Sequence, residues 1–105
     1  MRDSLPGGNV ALAELVDLFL ADLPERLAAI RAATERADAP ALALHAHALR
    51  SSAGNFGAEA LDRICALLEQ AGRDHATEKA CATLVELADE AERVRRALLA
   101  VRSTG

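Results

Sequence analysis

Residues 38–58 read DAPALALHAHALRSSAGNFGA, and this stretch decides the fold. Asp38 followed by Pro40 is typical of a helix start, because an aspartate side chain caps free amides and proline suits the first helical turn. At about 100° per residue, one side of the helix collects Leu42, Leu49, Ser52, Ala53 and Phe56. The pattern therefore predicts a helix from about residue 39 to 54 or 55 that turns this side toward a core, followed by a tight turn at Phe56 and Gly57.

The same signals divide the rest of the chain into helices. Apolar residues at helical spacing predict a short helix over residues 10–20. Asp22 and Pro24 then predict a new helix start, and this second helix runs to about residue 37. After the central stretch, a helix is expected over residues 58–71 and is ended by Gly72.

A long last helix is predicted to reach residue 101. The fold class is thus all-α, an antiparallel up-down four-helix bundle with a short additional N-terminal helix. Residues 1–9 are expected to be a disordered or expression-derived lead, residues 10–101 the bundle, and residues 102–105 a frayed tail.

The composition limits the possible partners. The 105 residues carry a net charge of −4 with both signs intermixed, so the chain lacks the basic stripe that nucleic acid needs and the basic anchor that a membrane needs. No signal peptide or spanning segment is recognisable. Cys65 and Cys81 lie in amphipathic stretches and are expected to be free, buried thiols. We therefore expect a cytoplasmic monomer whose partners are proteins.

His47 is predicted to face solvent, because it lies about 140° to 160° around the helix from Leu42 and Leu49. The residues around it on the same face have small or apolar side chains, unlike the charged outer faces of the other helices. Such a face suits the docking of a partner. The predicted docking residues are Ala43, Leu44, Ser51 and Gly54.

A neutral imidazole has a free lone pair on one ring nitrogen and can attack an activated phosphoryl group. Arg50 is close enough along the helix to compensate the charge of the phosphoryl oxygens. Other chemistries lack their partners. His45 projects about 160° away from His47, so the two cannot share a metal ion, and Ser51 and Ser52 have no companion base. Without a nucleotide-binding loop the chain is no autonomous kinase, so the phosphoryl donor must be another protein or domain.

Over about residues 10–100 the chain resembles histidine-containing phosphotransfer (HPt) domains. The family signature is a histidine, any residue, leucine, lysine or arginine, glycine and serine, and then a glycine-alanine pair that opens the next helix. The stretch that resembles this signature here is His47, Ala48, Leu49, Arg50, Ser51 and Ser52, with Asn55, Gly57 and Ala58 following. Ser51 departs from the pattern, which has glycine at this position.

The resemblance implies that His47 is the phosphorylated residue and Arg50 its basic neighbour. It also implies exchange of the phosphoryl group with an aspartate of a receiver domain, on a response regulator or a hybrid sensor kinase. The receiver supplies Mg²⁺, and no cofactor is expected on this chain. The length fits a free-standing carrier as well as the last module of a hybrid sensor kinase.

Two alternatives to a phosphoryl carrier remain at this level. One is a non-catalytic helical module that binds a receiver or an enzyme without accepting phosphate, which the serine at position 51 motivates. The other is the dimerising helical hairpin of a histidine kinase, which is disfavoured because such a hairpin normally lies beside an ATP-binding domain.

Overall fold

The computed structural model describes residues 8–104, which form four α-helices and no strands. They are α1 (Gly8–Glu35), α2 (Ala39–Gly54), α3 (Glu59–Arg73) and α4 (Glu78–Thr104). Each helix packs against the next one along the chain, and α1 also packs against α4. The all-α class is thereby confirmed.

The predicted break before Pro24 is wrong, because residues 8–35 form one continuous helix. A proline inside a helix costs about 3 kcal/mol, since its ring clashes with the preceding turn and it lacks an amide hydrogen. Buried side chains lie on both sides of it, namely Val16, Phe19, Leu23 and Ile30. Burial of each contributes about 1.5–3 kcal/mol, so their shared packing outweighs the local cost. Asp22 pairs with Arg26 at 3.7 Å within the helix.

The start and the inner face of α2 agree with the sequence. The Asp38 side chain accepts a hydrogen bond of 3.2 Å from the Ala41 amide, and Pro40 occupies the first turn. The buried residues of this helix are Ala39, Leu42, Ala46, Leu49 and Ala53. Phe56 in the following turn is half-buried, and its ring centroid lies 5.2 Å from that of Phe19 on α1. The outer face of α2 is therefore the one that carries His47.

Gly72 does not end α3 but lies buried inside it, against α2. A Cβ atom at this position would lie 2.6 Å from the Ala43 amide nitrogen and 2.8 Å from the Ala39 carbonyl oxygen. Both are backbone atoms, so a side chain could fit only if one helix moved. Glycine at 72 and alanines at 39 and 43 thus allow the two backbones to approach closely.

The core between the helices is almost entirely aliphatic. Among the described residues, the buried polar or charged ones are Thr34 and Glu69. Thr34 donates to the Ile30 carbonyl within its own helix, at 2.9 Å. Glu69 is therefore the one carboxylate that the described part of the fold buries, and it belongs to the site discussed below.

The chain ends differ in part from the prediction. Residues 1–7 of the predicted lead lie outside the described residues, whereas Gly8 and Asn9 belong to α1. The expected frayed tail is helical as far as Thr104, and Arg102 forms an ion pair of 2.6 Å with Asp17 on α1. Within residues 8–104, no helix combines the length and the apolar character needed to cross a bilayer.

The close approach at Gly72 makes a testable prediction. Gly72→Ala should lower the free energy of unfolding by about 1–3 kcal/mol, because the added methyl group overlaps backbone atoms of α2. Gly54→Ala is the matched control, since a Cβ there meets nothing within 4 Å. The control should leave stability unchanged or raise it by up to about 1 kcal/mol through helix propensity. Urea denaturation measures both, and equal stability of Gly72→Ala and the parent would contradict the packing described.

The two cysteines should differ in reactivity. Both are free, but Cys65 is buried whereas Cys81 is exposed, against the expectation that both are buried. Burial, helped by the nearby Asp62 carboxylate, raises the pKa of the Cys65 thiol to about 12. A thiol-specific reagent at mildly alkaline pH should therefore modify Cys81 alone in the native protein, and both cysteines in denaturant. Reaction of native Cys81→Ser at the parent's rate would show that Cys65 is accessible.

Candidate functional site

The His47 ring stands on the outer face of α2, as the sequence predicts. Its side chain is 60% exposed, and its Nδ1 lies 3.2 Å from Oε2 of Glu69 on α3. A carboxylate accepts and does not donate, so Nδ1 carries the hydrogen of this bond. The other ring nitrogen, Nε2, is then left with the lone pair.

Glu69 is the centre of the site, although its side chain is only 4% exposed. Besides His47, it accepts hydrogen bonds from Arg50 Nη1 at 3.4 Å and from Arg73 Nη2. A buried carboxylate is strongly unfavourable unless charged and polar partners compensate it. The two guanidinium groups and the imidazole supply that compensation, so the burial of Glu69 and the orientation of His47 depend on each other.

Arg50 is held in place from α3. Its Nε donates to Oδ1 of Asp62 at 2.9 Å, and its Nη1 donates to Glu69. The hydrogen bond to Asp62 and the charges of both carboxylates raise the pKa of Arg50. Through Glu69, His47 is therefore linked to a network of two guanidinium groups and two carboxylates whose formal charges cancel.

The predicted docking residues do not all lie on the open face. Leu44 is 64% exposed, Ser51 and Gly54 are also exposed, and a Cβ at Gly54 would meet nothing within 4 Å. Ala43, in contrast, is half-buried and packs against Gly72 of α3. Ala43 therefore belongs to the contact between the two helices, and the other three predicted residues lie on the open face of α2.

His45 lies on the flank of α2 that faces α1. It is half-buried, and its Nδ1 accepts a hydrogen bond of 2.8 Å from Nη1 of Arg26. His45 is thus a packed, hydrogen-bonded residue of the α1–α2 contact. Among residues 8–104 there is no group of three or more His, Cys, Asp or Glu side chains that could hold a metal ion.

An apolar groove lies next to the C-terminal end of α2, on the side of α1. Its volume is about 590 Å³. Two of its leucines, Leu15 and Leu18, are 57% and 68% exposed. The lining residues are Leu12, Leu15, Leu18, Phe19, Asp22, Ser52, Asn55 and Phe56.

Sequence reasoning missed the three residues that α3 contributes, Asp62, Glu69 and Arg73. The sequence does contain a signal for Glu69, an acidic residue on the inner side of an apolar stripe. Glu69 directly follows Leu68 and precedes Gly72 by three positions. Glu69 and Arg73 also have the spacing of a helical ion pair. Their meeting with His47 depends on the packing of α3 against α2, which no local pattern contains.

Comparison with known proteins agrees with this geometry. The model of the Hpt domain family matches residues 14–97. Among solved structures, the chain is similar to the crystal structure of histidine-containing phosphotransfer protein B (HptB) from Pseudomonas aeruginosa PAO1. That match has a TM-score of 0.84 and 31% sequence identity, and it covers 89% of this chain and 81% of that chain. The comparison with curated proteins found no match. A family match over most of the chain, together with a histidine presented on a helical bundle, shows that this protein belongs to the Hpt domain family, the histidine phosphotransfer modules of phosphorelays.

Proposed function

We propose that His47 accepts a phosphoryl group at Nε2 and exchanges it with the aspartate of a receiver domain. The observation that carries this proposal is the hydrogen bond from His47 Nδ1 to the buried Glu69, at 3.2 Å. A free histidine ring interconverts between two tautomers, whereas this bond favours the one whose Nε2 lone pair faces outward. The 60% exposure of the side chain leaves a partner room to reach it.

The transfer needs no proton to move on this chain. The Nε2 lone pair attacks the phosphorus of the aspartyl phosphate, the bond from phosphorus to the aspartate oxygen breaks, and the carboxylate leaves with that electron pair. The ring keeps its Nδ1 hydrogen and acquires positive charge. Glu69, which already accepts that hydrogen, stabilises the charge. In the reverse direction the aspartate oxygen attacks phosphorus, the bond from phosphorus to Nε2 breaks, and its electron pair returns to the ring nitrogen.

Arg50 contributes positive charge next to the phosphoryl group. Its bonds to Asp62 and Glu69 restrict the guanidinium group to one position, so little side-chain entropy is lost when the phosphoryl oxygens arrive. The same carboxylates offset part of its charge. Arg50 therefore assists the transfer, while the receiver domain, with its Mg²⁺, supplies most of the charge stabilisation.

The receiver docks on the open face of α2, with Leu44, Ser51 and Gly54 beneath it and Ala43 behind them. The apolar groove along α1 extends this surface, because Leu15 and Leu18 expose apolar area that a helix of the partner would cover.

The proposal includes a monomer that works in the cytoplasm. Connections of only a few residues and packing between consecutive helices support an up-and-down order of the bundle.

His47→Gln should abolish phosphorylation. Phosphoramidate, a small-molecule donor to histidine, or a receiver phosphorylated by acetyl phosphate would be the donor, and intact mass spectrometry would count acid-labile phosphoryl groups. The parent should gain one group, and His47→Gln none. His45→Gln is the matched control and should be phosphorylated like the parent, because its ring bonds Arg26 instead. A His47→Gln protein that is phosphorylated as fully as the parent would refute the assignment.

The role of Glu69 is testable by two substitutions. Glu69→Ala should lower the rate of His47 phosphorylation about tenfold, the equivalent of one lost hydrogen bond of about 1.4 kcal/mol. Glu69→Gln keeps an oxygen that accepts from Nδ1, so it should retain more of the rate. Nitrogen-15 NMR of the His47 ring is the second readout. We expect the Nδ1–H tautomer in the parent and in Glu69→Gln, but a mixture in Glu69→Ala; the same mixture in all three proteins would show that Glu69 does not orient the ring.

A further inference from the structure

Ser51 lies one helical turn after His47, on the same exposed face of α2. Residues four apart on a helix are neighbours, with Cβ atoms about 5–6 Å apart. Because each Cα–Cβ bond tilts toward the start of the helix, the Ser51 side chain leans over the turn that carries His47. Its hydroxyl is thus directed to the space that a group on the exposed ring nitrogen would enter.

The Ser51 hydroxyl has a hydrogen to donate. Two other helical hydroxyls, those of Thr34 and Ser103, donate at 2.9 Å to the carbonyl four residues earlier. The Ser51 hydroxyl makes no such bond and no other hydrogen bond within the described part of the chain. Its donor is therefore available to a ligand, whereas the other two are already satisfied.

The charged groups at the site make an additional donor useful. Arg50 is bonded to Asp62 and Glu69, and Arg73 is bonded to Glu69. These two cations are balanced by two carboxylates, so the side chains around His47 offer a phosphoryl dianion no net positive charge beyond that of the ring itself. A hydroxyl beside it adds a hydrogen bond to a charged acceptor, which is stronger than one between neutral groups.

We propose that the Ser51 hydroxyl donates a hydrogen bond to a phosphoryl oxygen on phosphorylated His47 and so makes this chain retain the phosphoryl group. The inference rests on the proposed function, since it concerns the state that phosphorylation creates. Ser51 then sets the division of phosphoryl groups between this carrier and its receiver. Its effect is confined to the phosphorylated protein.

The equilibrium of phosphoryl exchange with a receiver tests the proposal. That equilibrium depends only on the separated proteins, so a change in docking, which alters both rates equally, cannot imitate the effect. Ser51→Ala and Ser51→Gly should each shift the equilibrium toward the phosphorylated receiver by about 3- to 10-fold, the loss of one hydrogen bond. Ser51→Thr keeps the hydroxyl and should stay close to the parent.

Ser103→Ala is the control, because it removes an exposed helical hydroxyl on α4, a helix that does not pack against α2. It should leave the exchange unchanged. The ratio of phosphorylated receiver to phosphorylated carrier at equilibrium is measured from both directions, starting with either partner phosphorylated. A shift of less than about twofold in Ser51→Ala, or an equal shift in Ser51→Thr, would overturn the inference. If His47 is phosphorylated normally in that experiment, the proposed function stands; if the parent accepts no phosphoryl group, the proposed function fails with it.

Discussion

The close approach of α2 and α3 at Gly72 is the constraint on which the rest of the site depends. Backbone atoms of Ala39 and Ala43 leave no room for a Cβ at position 72, so these positions admit only small residues. His47 lies one turn after Ala43 on α2, and Glu69 lies three residues before Gly72 on α3. Both residues are thus within about one turn of this contact. The carboxylate therefore reaches the imidazole, and further along the pair Asp62 reaches Arg50. A wider spacing of these helices would separate Glu69 from His47 and Asp62 from Arg50.

The buried Glu69 links the stability of the bundle to its chemistry. A carboxylate in an aliphatic core is costly, and a leucine there would pack without that penalty. The carboxylate has a role that a leucine could not fill. Two arginines neutralise it, and it also accepts the hydrogen bond from His47 Nδ1. One group thereby favours one ring tautomer and, in the phosphoryl transfer that we propose, stabilises the charge that the ring acquires.

Local signals predicted some elements well and others poorly. The start of α2 was predictable, because the Asp38 cap and Pro40 act on their own first turn, and the outward direction of His47 follows from helical periodicity. The helix start predicted at Pro24 and the helix end predicted at Gly72 were wrong, because long-range packing overrides each of these local signals. Around Pro24, buried side chains on both sides keep α1 continuous, and at Gly72 the missing side chain serves the neighbouring helix.

By itself, the sequence determined the all-helical fold, the exposed histidine with its small neighbours and the family resemblance, because these depend on residues within a few turns of one helix. Only the tertiary structure decided which groups touch that histidine. Glu69 is 22 positions away along the chain, and the bond exists because two helices pack side by side. Ala43 packs against Gly72 instead of lying on the open face, and the first two predicted helices form the single helix α1. Both differences have the same cause, because contacts between helices outweigh local preference.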